Sequence, residues 1–149
     1  MADVRLPNMK ERLLLSEQNP ASGRNAIVAD DGRACWLYLT APNAVEPVAD
    51  CWLYNATTSP RQRESQRGET PVVPLTHTEH SGSFEPPSQQ SVIFRWSQDG
   101  NSVAVQFWNE VFGFIPRAGS GYSKLLSLAG PYGNPIDMEL YSRVFDKAT

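Results

Sequence analysis

Residues 91–97 and 102–108 flank Asp99-Gly100, and their side chains favour a single pairing. Asp-Gly suits a two-residue hairpin loop because both residues tolerate positive φ. With those two as the loop, Trp96 faces Val103, Phe94 faces Val105 and Val92 faces Phe107, all on one face. Ile93, Arg95, Ala104 and Gln106 form a more mixed opposite face. A one-residue slip would turn the whole apolar set toward water, so burial pins the register. Residues 111–115 are expected to fold back as a third strand after Asn109-Glu110, although glutamate fits poorly at a positive φ.

A second hairpin is expected from residues 25–29 and 33–40 around Asp30-Asp31-Gly32. With Asp31-Gly32 as its loop, Asp30 faces Arg33, Val28 faces Cys35 and Ile27 faces Trp36. Both faces are then apolar, as in a central strand covered on both sides. The tetrapeptide CWLY occurs at 35–38 and again at 51–54. A connection centred near Val45 would pair residues whose numbers sum to about 90. Trp36 then faces Tyr54 and Tyr38 faces Trp52, which puts four rings on one face. Cys35, Leu37, Cys51 and Leu53 fall on the other. Four residues of offset hold the thiols more than ~10 Å apart, too far for a disulfide. Two buried thiols are the expectation.

The 149 residues suit one domain over 1–149, and 40% hydrophobic content is enough for a core. Residues 11–17 read as a first strand, and 119–128 as a connector holding a turn of helix. Asn134 as cap, Pro135 at the first position and Ile136, Leu140 and Val144 at helical spacing predict a short C-terminal helix. Residues 57–90, rich in Pro, Ser, Thr, Glu and Arg, read as a mobile loop insertion with an edge segment at 71–75. The predicted fold is mainly β: one antiparallel, meander-like sheet of six or seven strands with that helix, a strongly curved or barrel-like form being left open.

A formal charge of −3 and a pI near 5.3 argue against a nucleic-acid partner. The N-terminal stretch has only the short apolar run Leu13-Leu14-Leu15, and no stretch approaches the ~20 apolar residues of a membrane span. A soluble cytoplasmic protein is expected.

Chemistry-bearing motifs are few. His77-Thr78-Glu79-His80 matches neither HExxH nor a Cys/His zinc pattern, so no metal is expected. Asp30, Asp31 and Asp99 read as exposed turn residues rather than paired acids. Gly119-Ser120-Gly121-Tyr122-Ser123-Lys124 lacks phosphate-loop spacing and reads as a connector, so no cofactor is expected. Asn55-Ala56-Thr57 fits a glycosylation sequon without a secretion signal, and Arg61, Arg63 and Arg67 form a small basic cluster. The candidate ligand or partner surface is Trp36, Tyr38, Trp52 and Tyr54, together with Trp108 and Glu110 near a hairpin tip.

Taken in order, Ser22-Gly23-Arg24, Asp30-Asp31-Gly32, Tyr38, Leu53-Tyr54-Asn55, Trp96-Ser97-Gln98-Asp99-Gly100 and Gly121-Tyr122 resemble the pattern of a bacterial family of small proteins with no established activity. The resemblance covers residues from about 11 to 122, and the closing segment from Ser123 does not match. It implies a shared fold and no catalytic residue. The leading expectation is a non-catalytic protein that binds another protein, one version being an immunity or antitoxin-like role. The rival is a small-ligand binder or enzyme with an aromatic-lined pocket between sheet and helix. A homo-oligomer is left open.

Overall fold

The computed structural model describes residues 13–56, 83–84, 86–117 and 119–146. Ten strands and one helix follow in chain order: β1 (Leu13–Gln18), β2 (Asn25–Asp30), β3 (Ala34–Thr40), β4 (Pro47–Ala56), β5 (Ser83–Phe84), β6 (Val92–Trp96), β7 (Val103–Phe107), β8 (Glu110–Ile115), β9 (Tyr122–Ser123), β10 (Asn134–Pro135) and α1 (Met138–Phe145). They form two five-stranded sheets, ordered β1-β2-β3-β4-β5 and β10-β9-β8-β7-β6. The expectation of one continuous sheet is therefore corrected: the chain leaves the first sheet after β5 and builds a second that packs on it. Both are mainly antiparallel, and among the described residues the parallel pairs are β4–β5 and β9–β10.

Alternation decides which residues meet between the sheets. The first sheet contributes Val28, Leu37, Leu39, Cys51 and Leu53, and the second contributes Val103, Val105, Phe107, Phe112 and Ile115, all in one buried cluster. The β6–β7 register is the one expected, with Val92, Phe94 and Trp96 opposite Phe107, Val105 and Val103. On the outer face of the second sheet, Ala104 and Phe114 form a separate cluster with Tyr141 and Phe145 of α1. The molecule thus has three layers: sheet, sheet and helix.

Glycines set the spacing where the sheets come closest. A Cβ on Gly121 would lie 2.5 Å from Cys51 Cβ and 2.8 Å from the Asp50 carbonyl oxygen. One on Gly113 would lie 2.6 Å from Leu53 Cδ2 and 2.9 Å from Cys51 Sγ. The Cys51 thiol donates to the Tyr122 carbonyl across the same crossing, 3.2 Å away.

Several expectations need correction. In the β2–β3 hairpin Val28 faces Leu37 and Asp30 faces Cys35, two residues from the predicted pairing. The shift of two leaves every side chain on its predicted face. Asp30 is buried, not exposed: Tyr54 Oη donates to its carboxylate at 2.7 Å. Within the stretch read as a connector, residues 119–128, Tyr122 and Ser123 form β9 rather than a turn of helix. Asn134 and Pro135 do not start the helix, because the Asn134 backbone and side-chain N–H groups both donate to the Gly121 carbonyl. Asp137 caps it instead, accepting from the Glu139 and Leu140 amides. Of the 57–90 loop, residues 83–84 form β5 and 89–91 a 3-10 turn, while 57–82 lie outside the described residues. Those include the 71–75 edge segment, both histidines and the arginine cluster. No helix among the described residues is long and apolar enough to cross a membrane.

Candidate functional site

The four-ring cluster expected from the CWLY repeat does not form, and a bulge is the reason. Trp36 faces Trp52, but Cys35 faces Tyr54, so Leu53 is an extra residue without a partner on β3. Directly paired residues share a face and consecutive ones alternate. Tyr54 therefore turns to the Cys35 face and meets Phe107 of the second sheet edge-on, with ring centroids 6.0 Å apart. Trp52 stays on the Trp36 face, fully buried, with its indole N–H donating to Asn55 Oδ1 at 3.1 Å. Trp36 is buried as well. Because α1 packs on Phe114 and Ala104, these rings do not sit between sheet and helix.

Tyr38 is the exception, half-buried and opposite Asp50 on β4. Together they line a cleft of about 370 Å³ at the free end of the β3–β4 hairpin. Its other walls are Pro47, Val48 and Ala49 on one side and residues 119–121 and 130–133 on the other, Tyr132 among them. Val48 is 61% exposed at the mouth, and Val45 in the hairpin loop is 81% exposed. Partial burial raises the Asp50 carboxyl above its usual range. Burial, then the charges of Asp50, Asp31 and Cys35, push the Tyr38 hydroxyl up to about 12. Among the described residues none hydrogen-bonds the Asp50 side chain, and no Lys, Arg or His lines the cleft. Residues 119–121 of the glycine-rich stretch thus line the cleft. Lys124 points away to an ion pair with Glu110 at 2.8 Å, and Asp50 would repel an anion.

Trp108 and Glu110 lie at the other end of β8. The β7–β8 turn is Trp108-Asn109, one residue earlier than expected, with φ of 53° and 67°. That removes the difficulty with glutamate, since Glu110 is already in β8 opposite Phe107. Trp108 is 49% exposed, and the inner edge of its ring meets Phe107 and Phe112 at centroid distances of 6.0 and 5.9 Å. A bulky residue at positive φ is strained by roughly 1–2 kcal/mol.

A second hollow, about 500 Å³, lies between the β6–β7 hairpin and α1 and carries Asp99, Arg117 and Arg143. Asp99 is a structural turn residue: its carboxylate accepts from Ser97 Oγ and the Asn101 amide and pairs with Arg117 at 3.5 Å. The two cysteines are free and buried, and the Cys51 thiol is pushed far up by burial and the Asp50 charge. Among the described residues no group of three His, Cys, Asp or Glu side chains is placed to hold a metal.

Sequence reasoning reached Tyr38 and Trp108 but missed Asp50 and Tyr132. Asp50 stands next to the second CWLY, and its pairing with Tyr38 was the only available signal. No protein-family model, curated protein or solved structure matches the chain.

Proposed function

We propose that the protein is a non-catalytic module that binds another protein through the Trp108 hairpin tip. The carrying observation is that a tryptophan occupies a positive-φ turn position, where Asn or Gly would fold more easily, and leaves half its surface in water. Folding alone does not call for it, whereas a rigid aromatic anchor on a hairpin is what a protein interface uses. The acidic charge, the small size and the resemblance to a bacterial family without established activity fit an immunity or antitoxin-like role inside a bacterial cell.

The test is substitution of Trp108 by Gly, which relieves the backbone strain while removing the anchor. Thermal midpoints of the two proteins should agree within a few degrees. A stoichiometric partner recovered by the unmodified protein should be lost with Trp108→Gly. Retention of that partner by the variant, or recovery of none by either, would overturn the reading.

A second reading, a binder of a small ligand, is favoured by the cleft at Tyr38 and Asp50. Its volume falls within the range of roughly 300–1,000 Å³ typical of ligand sites. It lies at the opposite end of β8 from Trp108, so the two readings stand or fall separately.

A further inference from the structure

We propose that this cleft recognises a cationic nitrogen, a primary ammonium or guanidinium group, held by Asp50 between the phenols of Tyr38 and Tyr132. The inference rests on the second reading above and names its ligand class. Three observations lead to it.

First, Asp50 lines the cleft as a solvent-reachable carboxylate with no described side chain or amide donating to it. Such a group gains from an incoming donor carrying positive charge more than from a neutral one. Second, among the described residues the lining carries one carboxylate, Asp50, and no cationic side chain. That arrangement favours a cationic ligand over an anionic one. Third, the walls suit an alkyl-bearing cation. Pro47, Val48 and Pro131 give it apolar surface, and two tyrosines supply the rings that stabilise ammonium and guanidinium groups. Gly119, Gly121, Gly130 and Gly133 form the opposite wall as bare backbone.

The chemistry is shared by two sources, a free alkylamine and the side chain of Lys or Arg in a peptide. The full-length, ¹⁵N-labelled protein is titrated with n-butylammonium, with n-butanol as the neutral counterpart and butyrate as the anionic one. The amides of Gly119, Gly121, Gly130 and Gly133 should shift and saturate with the ammonium, and require at least about tenfold more of the alcohol or the carboxylate for the same response. Asp50→Asn should weaken the ammonium response at least about tenfold while leaving the remaining spectrum in place. Equal affinity for alcohol and ammonium, or an Asp50→Asn variant with unchanged affinity, overturns the cationic assignment but keeps a ligand site. No response of these amides to any of the three overturns the ligand reading itself. Putrescine and N-acetyl-lysine methylamide then separate the sources, the tighter of the two identifying free amine or side chain.

Discussion

Asp50 and Tyr38 face each other across two strands; Tyr38 is half-buried, Asp50 stays exposed, and no described residue donates to its carboxylate. The consequence for stability has a definite sign. A carboxyl whose folded pKa lies above its ordinary value of 3.8 favours folding only while protonated, so its contribution is present below that value and lost as pH rises through the folded pKa. At neutral pH the ionised Asp50 therefore opposes folding. The Asp50→Asn protein should be the more stable of the two at pH 7, and its advantage should shrink as pH falls toward 3.8. Urea midpoints across pH 3.5–7.5 read this directly, and an advantage growing toward acid pH would contradict it. At this scale the sequence was legible for side chains whose role is local. Trp108 was placed near a tip, and the cysteines were read as separate buried thiols, which they are. Asp50 was not legible, because what matters about it is the approach of residues 119–121 and 130–133, far away in the chain.

Arg95 ties the helix to the second sheet. Its guanidinium donates to Tyr141 Oη at 3.0 Å, to the Phe145 carbonyl at 3.1 Å and to the Asp146 carboxylate at 2.7 Å. One planar fork thus serves the C-terminal end of α1, where a positive charge also complements the helix dipole. Arg95→Ala should destabilise the protein by about 1–2 kcal/mol, since the pair with Asp146 is largely exposed and adds little. Hydrogen exchange should show that loss concentrated in the α1 amides, and Arg95→Lys should recover only part of it. Uniform loss of protection across both sheets would mean that α1 does not open independently. Elements whose registers follow from one continuous apolar face were legible, above all β6–β7. The helix was legible in its buried stripe but not in its start: Asn-Pro is a good helix opening, and the parallel pairing with β9 overrode it. The β2–β3 pairing slipped by two because the loop runs longer than Asp-Gly alone requires, a change that alternation cannot detect.

The whole molecule depends on one crossing, where β4 passes under β8 and β9 with no room for a methyl group. Gly121→Ala should cost about 3 kcal/mol, the upper end for overpacking, because the added Cβ meets backbone that cannot rotate away. Gly119→Ala, with nothing within 4 Å, should cost only about 1 kcal/mol, from its φ of 107°. Chemical denaturation of the two variants makes the comparison, and equal losses would show that the crossing is not the constraint. A single sheet was the natural reading of consecutive hairpins, since each hairpin specifies its own neighbour but not the turn from one layer to the next. What did point to two layers was the apolar character of both faces of β3, which one open sheet leaves unexplained. Leu53 finally gives the repeated CWLY its meaning at this scale. In the first copy the side chains keep a strict two-residue beat. In the second, one unpaired residue acts as a half-period defect, so the strand beyond it runs in antiphase to the strand before it. Trp52 keeps to the Trp36 face of the sheet and Tyr54 turns to the other, joined to Asp30 and Phe107. What the chain encodes at position 53 is a length as much as a side chain. Substitution there would change the packing, whereas deletion would make the ladder regular and leave Tyr54 opposite Cys35, on the face it already holds.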